Sequence, residues 1–185
     1  MNKSKRLTSI GWLLIAAALC LSGYNLWSGY QTGVKSQAVY QKLEKMPLVE
    51  ESALKMPVKI VDGHEYIGIV RILKLNLELP IMQDWSYPNL LISPCRYTGS
   101  VYTKDMILCA HNSYEHFGRL KTLSLNDTIE FEDMAGKIYT YRILEITTLQ
   151  PENVKEMEDG DWDLTLFTCD LFGAVRITVR CTLVF

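Results

Sequence analysis

Cys169 ends the apolar run Leu164-Thr165-Leu166-Phe167-Thr168, and Arg176 follows it after a short turn through Gly173. Upstream, His111 closes another apolar run, Met106-Ile107-Leu108-Cys109-Ala110, and opens the polar stretch Asn112-Ser113-Tyr114. A cysteine, a histidine and an arginine therefore each fall at the end of a predicted strand. If Cys169 ends one strand and Arg176 begins the next, antiparallel pairing sets their Cβ atoms roughly 5 Å apart. A guanidinium beside a thiol favours the thiolate, and its fixed fork can also hydrogen-bond an oxyanion formed during attack on a carbonyl. His111 would supply the general acid and base that acyl transfer through a thioester requires, provided its strand neighbours the cysteine strand. Arg180 shares a strand face with Arg176, but four residues on it stands roughly 13 Å away, so Arg176 is the expected partner.

The elements that must position these groups have a period of two. Leu73, Leu75, Leu77, Leu79 and Ile81 alternate with Lys74, Asn76, Glu78 and Pro80, which predicts a half-buried strand. Further strands are expected at 66–72, 106–110, 128–131, 139–147, 164–168 and 175–184. Turns are signalled by Asn126-Asp127, by Gly136 and by the loop from Pro151 to Asp163. Only 113–125 reads as helical within this region. So many short strands predict an all-β sandwich or closed barrel.

The N-terminus predicts where the chemistry happens. Lys3, Lys5 and Arg6 precede a stretch without Asp, Glu, Lys or Arg that lasts until Lys35. At a helical rise of about 1.5 Å per residue it can cross a hydrocarbon core of roughly 30 Å. The basic residues favour a cytoplasmic N-terminus, with everything after about residue 27 outside the cell. Tyr24, Leu26 and Trp27 extend the segment and suit an interface, which favours an uncleaved anchor over a signal peptide. A mature chain beginning near Ser22 or Gly23 would refute the anchor. Residues 1–27 are thus expected to form a cytoplasmic tip and membrane helix, 28–57 a partly helical stalk holding the domain off the bilayer, and 58–185 a single domain.

Composition excludes several classes. The net charge of -2 and scattered basic residues leave no nucleic-acid footprint. The five cysteines form no CxxC pair, which argues against a zinc ribbon or a thioredoxin-like site. Cys20 falls in the membrane segment, and Cys95, Cys109 and Cys181 are expected to be small buried hydrophobes, leaving Cys169 as the reactive thiol. His64 reads as a surface residue and His116 as structural or solvent-facing. The acidic residues between Glu152 and Asp163 lack the spacing of a calcium loop and read as a solvated loop. Trp85, Tyr97 and Trp162 could line a groove, although loop aromatics more often cap a core. Nothing implies a cofactor or a metal.

With these motifs in order, the chain resembles the sortases, membrane-anchored cysteine transpeptidases of Gram-positive bacteria. Thr165-Leu166-Phe167-Thr168-Cys169 matches the family's Thr-Leu-x-Thr-Cys motif, and Arg176 opens the final strand as the family arginine does. Ala110-His111-Asn112, Phe117-Gly118-Arg119-Leu120, Tyr66-Ile67-Gly68-Ile69 and Leu77-Glu78-Leu79-Pro80-Ile81 also look sortase-like. The resemblance implies a closed barrel of about eight strands with one or two short helices. It further implies cleavage of a C-terminal sorting signal of the Leu-Pro-x-Thr-Gly kind through a thioester on Cys169. His111 would be acid and base, Arg176 would stabilise the oxyanion, and Thr168 would help orient substrate. The acyl group would pass to an amine of a peptidoglycan precursor or a pilin. The turn from Asp170 to Val175 is short for the family. Alternatives are another cysteine hydrolase or transpeptidase of the cell envelope, or a membrane-anchored module that holds a peptide without cutting it. Papain-like hydrolases place cysteine before histidine, the reverse of this chain. L,D-transpeptidases show a glycine where Thr168 stands.

Overall fold

The computed structural model describes residues 3–50, 55–170 and 173–184. The ends of the predicted segments at residues 1, 2 and 185, residues 51–54 of the predicted stalk, and Leu171 and Phe172 of the short turn lie outside the described residues. A single helix, α1 (Lys3–Glu44), precedes nine strands: β1 (Lys59–Val61), β2 (His64–Ile72), β3 (Leu77–Met82), β4 (Cys95–Thr98), β5 (Met106–Cys109), β6 (Thr128–Asp133), β7 (Ile138–Leu149), β8 (Leu164–Cys169) and β9 (Arg176–Leu183). Two short helices, α2 (Tyr87–Leu90) and α3 (Val154–Glu158), lie in the connections.

The strands run in the order β1-β2-β3-β4-β5-β8-β9-β7-β6, and β6 pairs back onto β2. Eight strands thus close a barrel, with β1 as a short addition to β2. Closure removes the free edges that an open sheet would expose. Most neighbours are antiparallel. The β5–β8 pair is parallel, because β7 finishes at the same end of the barrel as β5 and the connection over 150–163 carries the chain back to the other end before β8 begins.

Strand alternation sorts the core into two layers. Leu108, Leu164, Leu166 and Val179 join the cluster that fills the barrel. Ile107, Cys109 and Phe167, at the intervening positions, join a second cluster outside it. Cys95, Cys109 and Cys181 are buried and free, as expected of small hydrophobes.

Two stretches depart from the predicted pattern. The alternation across 73–81 overruns the hairpin between β2 and β3, whose closing pair is Ile72 and Leu77. Leu73–Leu75 is a 3₁₀ turn, Asn76 takes a left-handed conformation at φ 51°, and Leu73 is exposed. A repeat of two cannot distinguish a strand from a tight turn with apolar ends. The second departure is α1, which continues unbroken to Glu44. Its outer half does not stand free: Thr32, Ser36, Val39, Tyr40 and Leu43 are buried along one stripe, and the helix packs against β1 and β3. Val34, off that stripe, faces outward. The inner half is long and apolar enough to cross a membrane, and its apolar window is not covered by the rest of the protein.

Candidate active site

Cys169 and Arg176 are directly opposed in the β8–β9 ladder, as the hairpin argument requires. On the other edge of β8 the parallel register pairs Cys109 with Phe167, and Ala110 N–H donates to the Phe167 carbonyl. Two residues further along each chain, that register brings His111 level with Cys169. Alternation then sets His111, Cys169 and Arg176 on the outer face of the barrel. All three line one cavity of about 210 Å³, whose other walls include Trp85, Tyr87, Tyr97 and Phe167.

The aromatic walls form a connected set. Trp85 stacks on Tyr97 at 5.7 Å, and Tyr97 meets Phe167 edge-on at 5.5 Å. The Arg176 guanidinium lies 5.2 Å from the centre of the Phe167 ring, a cation–π contact that holds the fork beside the cysteine strand. Its Nη1 is buried and has no hydrogen-bond partner among the described residues. Such a donor is free to serve an oxyanion. Arg180 is committed elsewhere: it donates to the Glu156 carbonyl at 2.6 Å, pairs with Glu145 at 3.4 Å and lies over Trp162.

Cys169 is exposed at the strand end. Burial lowers the His111 pKa below its ordinary value, so the imidazole is neutral at pH 7 and able to accept a proton. Its Nε2 is buried and has no partner among the described residues. Burial raises the Cys109 thiol to about 12, so this neighbouring cysteine stays protonated and does not compete as a nucleophile.

Thr168, expected to orient substrate, occupies the opposite strand face. Its side chain is wholly buried, and its hydroxyl donates to the Ala110 carbonyl at 2.8 Å. It ties the segment carrying Cys169 to the segment carrying His111 and is sealed from the cavity, because alternation turns it inward.

Helix α1 also reaches this region. Gly29 and Gly33, one turn apart, let it approach the loop after His111: a Cβ on Gly29 would stand 3.3 Å from the Ser113 Cβ, and one on Gly33 would overlap the Glu115 side chain. His116, on the same loop, is fully buried beneath the helix and within 2.8 Å of the Ser36 hydroxyl. His64, by contrast, is a half-exposed residue at the start of β2. Trp162 lies away from the cavity, against Arg180.

Sequence reasoning undervalued Trp85 and Tyr97 and missed Tyr87 and Leu90. The signal was thin: an aromatic-rich loop after β3, with Ser86 capping the short α2.

Residues 70–184 match the family model described as Sortase domain. Sortase A of Bacillus anthracis is 25% identical over 194 residues, spanning 91% of this chain and 89% of that protein. A Clostridium perfringens Sortase D5 transpeptidase superposes with a TM-score of 0.59 at 21% identity, covering 69% of this chain and 83% of the other. Sortase C1 of GBS Pilus Island 1 superposes at 0.61 and 18% identity, covering 85% and 83%. With its closed eight-stranded barrel and a domain match over most of its length, the chain belongs to the sortase family of cysteine transpeptidases.

Proposed function

We propose that this sortase cleaves a Leu-Pro-x-Thr-Gly-like C-terminal sorting signal through a thioester on Cys169. It then transfers the protein to an amine of a peptidoglycan precursor or a pilin. The observation that carries the reading is the opposition of Cys169 and Arg176 across one ladder, with His111 level on the neighbouring strand and a shared cavity in front.

In the first half-reaction the neutral His111 imidazole takes the Cys169 thiol proton, and the thiolate so formed attacks the scissile carbonyl carbon. Arg176 Nη1 meets the developing oxyanion, and His111 protonates the departing amine. In the second, an incoming amine attacks the thioester carbonyl, gives its proton to His111 and displaces the thiolate, which recovers the proton. The aromatic walls suit the apolar part of a peptide acyl group. Thr168 acts as a positioning residue, through its bond to Ala110.

Residues 1–27 are read as a cytoplasmic tip and membrane anchor, 28–57 as the connection and 58–185 as the catalytic domain, with that domain outside the cell. The three basic residues before the apolar segment support this orientation.

The test uses the full chain in lipid nanodiscs with a library of Leu-Pro-x-Thr-Gly-like peptides and several amines, followed by mass spectrometry. Cleavage after threonine with amine transfer, abolished in Cys169→Ala, supports the proposal. Peptide binding without cleavage in the unaltered protein refutes it.

A further inference from the structure

Cys169 and His111 also line a second cavity, of about 400 Å³, which shares Asn112 with the first but is walled by α1 through Asn25, Ser28 and Thr32. We infer that this second cavity is the subsite for the attacking primary amine, and that the helix bearing the apolar segment is thereby a working wall of the active site. The inference rests on the thioester mechanism proposed above.

The two cavities differ in chemistry. The first is walled by aromatic rings, which suit an acyl chain, and by the Arg176 guanidinium, which suits an oxyanion and repels an ammonium ion. The second is lined by Asp170, Asn25, Ser28, Thr32 and Ser113, all with side-chain oxygens. Asp170 Oδ1 already accepts from the Ala174 and Val175 N–H groups, which leaves Oδ2 for a ligand, and the Thr32 hydroxyl gives its proton to the Ser28 carbonyl and keeps its lone pairs. These are the hydrogen-bond acceptors that a primary amine, charged or neutral, requires. The Ser113 hydroxyl is buried and has no partner among the described residues, so an incoming N–H would satisfy it.

The reaction needs such an arrangement. A thioester on Cys169 fills the first cavity with its acyl chain, so the nucleophile must reach the carbonyl carbon from another side. The neutral amine attacks with its nitrogen lone pair, and the C–S bond breaks. The proton shed by nitrogen passes to His111 and then to the Cys169 sulphur, leaving an amide and a free thiol. His111 lines both cavities and can serve both half-reactions without moving. A further groove shares Asn25, Gly29, Asn112 and Ser113 with the amine subsite. It continues along α1 to Leu26 and Ser22, at the edge of the apolar segment, and offers a route of approach.

The test compares two nucleophiles on the full chain in nanodiscs, with a peptide that acylates Cys169. Triglycine needs a walled subsite, and hydroxylamine is small enough not to. The readout is the ratio of the KM for triglycine to the KM for hydroxylamine. Ser28→Leu and Asn25→Leu, which intrude on the cavity, are each expected to raise this ratio about tenfold, while Gln37→Leu, on an exposed part of α1, leaves it unchanged. General damage to the fold weakens both nucleophiles together and does not move the ratio. A ratio within about twofold of the unaltered protein in both cavity variants overturns the subsite. Failure of the unaltered protein to form any acyl-enzyme, seen by mass spectrometry before an amine is added, overturns the thioester mechanism and the subsite with it.

Discussion

Ser36 on α1 and His116 on the loop after His111 are joined by a buried 2.8 Å hydrogen bond whose direction is fixed by a third group. The Ser36 hydroxyl donates to the Ile92 carbonyl at 2.8 Å, so its oxygen accepts from His116 Nε2–H. Burial keeps the imidazole neutral, so its one proton sits on Nε2, and Nδ1 has no partner among the described residues. One serine thus fastens α1 to both the loop after His111 and the segment before β4.

Ser36→Ala is expected to leave His116 Nε2–H and the Ile92 carbonyl buried and unpaired, at a cost of about 2 kcal/mol. Urea unfolding of the two proteins at pH 7.5 checks this. Faster amide hydrogen exchange in α1 beyond residue 28 and in the 112–117 loop should accompany the loss.

Stability should fall on acidification because of the same histidine. Burial, with a smaller contribution from His111, lowers the His116 pKa to about 4, against an ordinary value near 6.5. Between those values the unfolded chain binds the proton that the folded chain refuses, so stability is full above about pH 6.5 and declines towards pH 4. The loss attributable to this group reaches roughly 3 kcal/mol. Burial lowers the His111 pKa as well and adds to the same trend. His116→Gln should give a flatter profile of unfolding free energy between pH 7 and pH 4.5; an unchanged slope would refute the assignment.

The two arginines of β9 should separate cleanly. Arg176→Ala is expected to lower kcat about a hundredfold or more, the cost of an oxyanion donor, with little effect on Tm. Arg180→Ala removes the donor to the Glu156 carbonyl and the partner of Glu145, so it should lower stability by about 1–2 kcal/mol while leaving most turnover. Turnover that survives Arg176→Ala but not Arg180→Ala would reverse the roles.

Thr168→Val keeps the volume of a buried side chain and removes its bond to the Ala110 carbonyl. Stability should drop by about 1 kcal/mol. If Thr168 acts by holding His111 and Cys169 in register, kcat falls and KM for the peptide stays close to that of the unaltered protein. A rise in KM alone would mean that Thr168 touches substrate.

Thiol labelling in the native protein should be selective. In protein held in nanodiscs, where lipid shields Cys20 in the apolar segment, iodoacetamide is expected to modify Cys169 and to spare Cys95, Cys109 and Cys181, which are buried. Burial also raises the Cys95 and Cys109 thiols to about 12 and pushes the Cys181 thiol up. Peptide mass mapping after brief exposure reads the pattern.

The sequence by itself determined the elements whose signal is local. A period of two located β2 and β5 to β9 to within a few residues, and the motif ending in Cys169 carried the family. The hairpin from Cys169 to Arg176 was legible because a short turn leaves an antiparallel ladder little freedom of register. Tertiary structure decided what depends on long-range packing. The parallel pairing of β5 with β8, across the whole β6–β7 hairpin, is what brings His111 level with Cys169. Short strands such as β1 and β4 carry too little pattern to be read, and the repeat at 73–81 concealed a turn. The docking of α1 escaped notice for a different reason. Its buried stripe includes Thr32 and Ser36, polar residues that become core only when Ser28, Ile92 and His116 supply their hydrogen bonds. For Ser36 those partners, Ile92 and His116, are distant along the chain, so hydropathy alone does not reveal that the predicted stalk docks against the loop after His111.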